Sequence, residues 1–264
     1  MALFIGLSFV FGAIIGSFLN VVTLRMPLGW SLGGRSHCPA CQHVLASTDL
    51  VPVFSYIALR GRCRYCHTRI SPRYALIELI TGVSFCLVTY TFFPQQISDF
   101  FLLAFWFVVI AVSIVTFIVD LEHFIIFNWV TGTGTVLALL FLVLHAVYAG
   151  HPVGAVLMSC VWGVVCGFSL FWLLWRLSGG RLLGYGDVKF TVFMGVTLGF
   201  PLISPALLFS FWLGALYAIP LLMTKRKGLQ SKLPFGTFLV PALLLAFMVG
   251  HQVLAWYGSA TGLW

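Results

Sequence analysis

Two aspartates and four cysteines are the residues of this 264-residue chain whose types and spacing could do chemistry. Asp120 ends the apolar run FWFVVIAVSIVTFIVD, and Asp187 follows Gly184-Tyr185-Gly186 and opens another apolar stretch. A carboxylate in or near hydrocarbon costs roughly a few kcal/mol, so each needs a partner or a purpose. Taken singly, each has a structural reading: Asp187 caps the helix it opens, and Asp120 pairs with His123 one turn on. Taken together, at one depth and with so few other acids in the apolar part of the chain, they read as a catalytic dyad. Two close carboxylates in a poorly solvated site share a proton. The ionised member takes a proton from a water held between them, while the protonated member polarises a scissile carbonyl and then protonates the leaving amine. That is aspartyl peptide hydrolysis. The helix dipole favours Asp187, at a helix start, as the ionised member and Asp120, at a helix end, as the protonated one, within a pair that titrates as a unit. Gly184 and Gly186 support the site in this reading, since glycine permits φ > 0 and lets a substrate backbone come close.

The cysteines are spaced Cys38-x2-Cys41, twenty-one residues, Cys63-x2-Cys66. Two such knuckles supply four thiolates that close a tetrahedron around zinc, and a loop without a sizeable core gains folding energy from the metal. The alternatives are two disulfides or four idle thiols; a cytosolic position argues against disulfides. Four protein ligands leave no open position for water, which argues against a zinc hydrolase here. Cys86, Cys160 and Cys166 fall within apolar runs and read as small packing residues.

The elements that must position these residues are membrane helices. The chain is 61% hydrophobic and only 8% charged, far from the balance of a soluble domain. Apolar runs near 2-24, 74-93, 100-119, 129-148, 153-175, 188-200, 204-223 and 235-256 give about eight spans. The sixth is short and meets Pro201, so it tilts or crosses only in part, and its boundary is the least secure. The fold class is an all-α polytopic membrane protein with a small cytosolic zinc-binding loop domain. Its parts are a first transmembrane helix at 1-24, the four-cysteine domain at 25-73, and a seven-helix membrane domain at 74-258 carrying the dyad. Gly12/Gly16, Gly163/Gly167 and Gly195/Gly199 are small-xxx-small pairs that let helices approach. The N-terminal run lacks a basic start and does not read as a cleaved signal peptide.

All fourteen Lys and Arg fall in three stretches: Arg25 to Arg73, Arg176 to Lys189, and Lys225 to Lys232. With alternating helices these lie on one side, the cytosol by the positive-inside rule, and both termini face outward. The net charge of +8 then reflects topology and contact with anionic lipid, not nucleic acid, for which no soluble basic fold remains. The other acids have plainer readings. Asp49 is a solvated or turn residue of the cysteine loop, Asp99 belongs to a short outer loop, and Glu78 pairs with Arg73 or caps its helix. Glu122 is either solvated or attracts a basic group.

These residues resemble the bacterial type IV prepilin leader peptidases, whose G-x-G-D motif is itself similar to that of the presenilin-type proteases. The resemblance covers nearly the whole chain: GSFLNVVTLRMP at 16-27, LRGRCRYC with ISPRYALIELITG at 59-82, VDLEHFIIFNW at 119-129, GYGDVK at 184-189 and LPFGTFLVPA at 233-242. It implies that Asp120 and Asp187 are the catalytic pair and that Cys38, Cys41, Cys63 and Cys66 bind zinc. It further implies removal of a short basic leader from prepilins or pseudopilins at the cytosolic face of the inner membrane. N-methylation of the new N-terminus from S-adenosylmethionine is implied in the same way, in a region that includes Gly61; no methyl-donor site is visible in the residues themselves. Three departures stand out. Phe127-Asn128 replaces Pro-Asp, Thr237 replaces a second proline, and Ala46 replaces an aromatic. None is expected to touch the two acids. The rival reading from another class is a proton- or cation-coupled transporter using intramembrane acids, against which stands the lack of a convincing internal repeat. A scaffold that has lost catalysis would require an altered dyad.

Overall fold

The computed structural model describes residues 1–181, 183–223 and 234–261; the basic stretch Lys225 to Lys232 lies outside the described residues. Among these there are nine α-helices and no strand: α1 (Ala2–Arg25), α2 (Phe54–Ala58), α3 (Arg73–Thr91), α4 (Ile97–His123), α5 (Asn128–Ala149), α6 (Val153–Ser178), α7 (Tyr185–Leu198), α8 (Ile203–Met223) and α9 (Gly236–Thr261). Seven are long and apolar enough to cross a membrane, making this a multi-pass membrane protein. The short α2 belongs to the cysteine segment. The remaining expected span, the sixth, is α7, whose 14 residues reach about 21 Å at 1.5 Å per residue, short of a hydrocarbon core of about 30 Å.

The chain divides into two compact units, Met1–Val115 and Thr116–Trp264. In the first, α1 lies against α3 through glycines. A Cβ on Gly12 would come 2.9 Å from Gly82 Cα, and one on Gly16 would come 2.8 Å from Glu78 Cα. Large rings fill the remainder, with Phe85 stacked on Phe107 at 3.9 Å. Polar groups tie the ends: Asn20 Nδ2 donates to Tyr74 O, and Arg73 Nη2 donates to Thr23 Oγ1. The partner of Glu78 is one the sequence does not suggest. Its Oε2 accepts the Val53 N–H at 2.8 Å, holding a β-branched residue at φ 65°, a conformation such residues rarely adopt. This contact ties the start of α2 to α3.

In the second unit α7 is surrounded. Val188, Phe190, Phe193 and Met194 are fully buried, and α5, α6 and α9 all pack on it. A helix apolar on every side is one that neighbours, not lipid, enclose. The glycine pairs read from the sequence make the closest of these approaches: a Cβ on Gly163 would meet Gly195 O at 2.5 Å, and one on Gly195 would meet Val164 Cα at 2.6 Å. A short, enclosed α7 fixes its own first turn, and Asp187 lies in that turn.

Candidate active site and metal site

Asp120 and Asp187 are both buried, at 5% and 6% exposure, and near enough for the charge of Asp120 to act on Asp187. Each is held by a backbone N–H from the start of a helix. Asp187 is the third residue of α7, and its Oδ2 reaches back to accept the Gly184 N–H at 3.1 Å, the carboxylate half of a capping box. Asp120 lies one turn before the end of α4, and its Oδ2 accepts the Thr237 N–H at 3.0 Å from the first turn of α9. The anion-favouring pole of a helix therefore faces each acid. Helix dipoles therefore do not mark Asp187 as the ionised member and Asp120 as the protonated one, as their places at a helix start and a helix end lead one to expect.

Three segments meet around the pair. Ile126, in the α4–α5 connection, sits between two glycines: a Cβ on Gly186 would be 3.0 Å from Ile126 Cβ, and one on Gly236 would be 3.1 Å from Ile126 Cδ1. The same Cβ on Gly236 would lie 2.8 Å from Asp120 Oδ2. Close approach is thus what Gly186 and Gly236 provide. The expected φ > 0 is not found at Gly184 or Gly186: Gly184 is extended at φ −75°, ψ 148°, as a helix-capping position requires, and Gly186 is helical.

One departure from the family pattern touches an acid after all, and a second lies beside the site. Thr237 has an N–H to give Asp120, which a proline lacks. Asn128 Oδ1 accepts from Lys189 Nζ at 2.7 Å, and that ammonium also lies 4.8 Å from the centre of the Tyr185 ring. Gly236 and Thr237 were missed by sequence reasoning as supports for Asp120; a glycine followed by an N–H-bearing residue at a helix start is the one local signal they leave. His123, offered as a partner for Asp120, instead has Nε2 3.9 Å from Glu122 Oε2, at an exposed position.

The four cysteines of the first unit form the other site. They are free thiols, and their sulfurs all lie within 4.8 Å of one another. Cys38 Sγ and Cys66 Sγ are 3.8 Å apart, the edge length of a tetrahedron with metal–sulfur bonds of about 2.3 Å. The donor set therefore fits a tetrahedral thiophilic metal. Each knuckle is closed the same way. In the first, Gln42 N–H donates to Cys38 O and Cys38 N–H to His43 O; in the second, His67 N–H donates to Cys63 O and Cys63 N–H to Thr68 O. Gln42 and His67 both turn at positive φ, 58° and 56°. Single antiparallel bridges close the bases, His37 with Val44 and Arg62 with Arg69.

The thiols are unequal. The Thr68 hydroxyl and backbone hold Cys66 down at about 6. Cys41 is drawn down by the His43 backbone but pushed up by desolvation and by Cys66 and Cys38, to about 11. Four sulfurs this close ionise together only around a cation. Asp49 joins the knuckles, and of its two expected readings, solvated or turn residue, the second holds: it lies in the 3₁₀ turn Ser47–Leu50 and its side chain is 3% exposed. Its Oδ1 pairs with Arg64 Nε at 2.6 Å, and its Oδ2 accepts the Tyr65 hydroxyl and the Ala46 N–H, both at 3.1 Å. Desolvation pushes the Asp49 carboxyl up, but Arg64, the Ala46 N–H and Tyr65 outweigh it and hold the group below its ordinary range.

Comparison with known proteins places the chain in a family. Residues 10–92 match the bacterial peptidase A24 N-terminal domain, and residues 107–219 match the type IV leader peptidase family. A prepilin leader peptidase/N-methyltransferase of Aeromonas salmonicida (strain A449) is 31% identical over 97% of this chain and 94% of its own. The protein of that name from Bacillus subtilis (strain 168) is 28% identical over 96% and 97%, and that from Myxococcus xanthus (strain DK1622) 34% over 87% and 67%. No solved structure matches the chain. The transport reading finds no support in these comparisons.

Proposed function

This chain belongs to the type IV leader peptidase family, and we propose that it hydrolyses the bond joining a short basic leader to the apolar helix of a prepilin or pseudopilin, with Asp120 and Asp187 as its catalytic pair. The observation that carries the proposal is the burial of the two acids within electrostatic range, each receiving a helix-start N–H. Buried like charges are costly, so one proton is shared between them. The ionised carboxylate accepts a proton from the attacking water as its oxygen bonds to the scissile carbon. The protonated carboxyl donates a hydrogen bond to the carbonyl oxygen. When the tetrahedral carbon collapses, the C–N bond breaks and the amine nitrogen takes a proton from the pair. Thr237 and Gly184 hold one oxygen of each acid, so the pair is oriented before substrate enters. Gly186 and Gly236 keep the approach to the acids narrow and free of side chains.

The positive-inside rule, applied to the three basic stretches, supports a reading in which the aspartates and residues 25–73 each face the cytosol from the inner membrane. There a basic leader meets an apolar helix. In this reading the short α7 takes the outward passage together with the turn after it and α8 takes the return, which keeps both termini facing outward. The metal is zinc in this reading, held by Cys38, Cys41, Cys63 and Cys66 as a closed structural site. The 1–24, 25–73 and 74–258 division describes anchor, metal domain and catalytic membrane domain.

The relatives' name implies a second activity, N-methylation, in which S-adenosylmethionine supplies an electrophilic methyl group when bound. The cavity beside Gly61 offers three guanidiniums and no carboxylate, which does not suit a donor with a positive sulfonium. The test is co-expression with a prepilin and mass spectrometry of the product, which reports the cleaved bond and any added methyl together. A shortened pilin is the expected result; a pilin that keeps its leader contradicts the proposal.

A further inference from the structure

The two knuckles share one backbone design but differ in what their closing bridges carry. His37 faces Val44 in the first, whereas Arg62 faces Arg69 in the second. Opposed residues in an antiparallel bridge project from one face with Cβ atoms roughly 4.5–5.5 Å apart, and like charges there are unfavourable. Among the described residues neither guanidinium has a hydrogen-bond or ion-pair partner, nor has that of Arg60. All three line a cavity of about 580 Å³ together with Tyr56, Gly61 and Ser71, and no carboxylate borders it.

The cavity is rigidly framed. Ile70 N–H donates to Gly61 O at 2.8 Å, and the Tyr56 hydroxyl donates to Ile70 O at 3.3 Å. Gly61 stands at φ 68°, and a Cβ there would come 2.9 Å from the Tyr56 oxygen. Three uncompensated arginines gathered on one held stretch of backbone call for an anion with several oxygens, and phosphate matches the fork geometry of a guanidinium. The location selects its source. Pro72 lines the cavity, and the membrane-spanning α3 begins at the next residue. On α2, outside any span, Phe54 and Ile57 are 62% and 66% exposed and lie three residues apart, on one side of the helix. Basic groups beside an exposed apolar face are the signature of a segment lying on an anionic membrane.

We infer that this cavity binds the phosphate headgroup of an anionic phospholipid, with Phe54 and Ile57 seated among the neighbouring acyl chains. The inference rests on the membrane placement of residues 25–73 given above and is independent of the peptidase chemistry.

The test is amide hydrogen exchange of residues 54–72 in the full-length, metal-loaded protein, in nanodiscs of phosphatidylcholine alone or mixed with phosphatidylglycerol. Exchange is expected to slow several-fold with the anionic lipid. Arg62→Gln/Arg69→Gln should lose that response, and Arg62→Lys/Arg69→Lys should retain part of it. Zinc content and leader removal measured on each preparation separate a lost headgroup from an unfolded domain or a failed peptidase. If the glutamine pair does not hold metal, the lysine pair and the wild-type lipid comparison decide. Equal exchange in the two lipids, or an unchanged response in the glutamine pair, overturns the inference. So does slowing in phosphatidylcholine produced by inorganic phosphate or S-adenosylmethionine but not by anionic lipid.

Discussion

The cysteine cluster and the aspartate pair are both compact polar groups in an apolar chain, yet they are assembled over opposite distances. Each cysteine knuckle closes on itself: the hydrogen bonds that shape it join residues four and five positions apart, and the second copy repeats the offsets of the first. The aspartates depend on remote chain. Asp120 takes its N–H from Thr237, 117 positions on, and the glycine that lets α9 approach is Gly236. A locally closed site can tolerate change elsewhere but fails when a ligand goes. A site assembled from helix starts should fail gradually as each support is removed.

That contrast can be broken in several places. The largest effect is expected from the metal. Zinc binding at such sites is worth on the order of 10–16 kcal/mol and is also folding energy. Cys63→Ser, or a strong chelator, should leave less than stoichiometric zinc and abolish protection of the backbone bonds at Cys38, Gln42, Cys63 and His67, read by hydrogen exchange. Full protection without metal would show that the knuckles fold on their own. Next is Gly236→Ala. Its methyl would press on Asp120 Oδ2, and a displacement of about 1 Å at a catalytic group costs on the order of 100-fold in rate. Gly132→Ala, where nothing lies within 4 Å, is the control that should leave leader removal unchanged.

A smaller loss is expected from Thr237→Pro, which removes one N–H at a helix start that proline otherwise tolerates. A hydrogen bond to a charged group is worth about 1.5–3 kcal/mol, so cleavage should fall about tenfold or more, while Thr237→Ala keeps the N–H and the rate. Equal rates for the two variants would remove Thr237 as a support. Least is expected from Asp49→Asn, about 1 kcal/mol for a partly exposed pair. The folded Asp49 carboxyl titrates below the ordinary 3.8, so its stabilising contribution is present above that value and is lost as pH falls through the folded one. The stability gap between wild type and variant should be full at neutral pH and close below 3.8. A gap that persists in acid would mean that the amide disturbs packing instead of charge.

Distance along the chain also decides what can be read beforehand. The cysteine spacing, the two aspartates at the ends of apolar runs and the glycine pairs joining α6 to α7 are local patterns, and the structure contains them where the residues indicate. The α7 segment, the span with the least secure boundary, is the helix too short to cross, because its apolar faces are covered by protein. What stays hidden is contact between patterns. Nothing near Asp49 announces Arg64, nothing near Glu78 announces the Val53 N–H, and nothing near Thr237 shows that its N–H serves Asp120. Polar side chains seeking backbone donors across a fold leave no period in the sequence.

The central claim is that Asp120 and Asp187 act as one catalytic unit, and leader removal by purified Asp120→Asn and Asp187→Asn proteins tests it most directly. Each substitution keeps the side-chain shape, so zinc content and thermal stability should match the wild type while cleavage of a prepilin drops below detection in both. Normal cleavage by either variant would contradict the account.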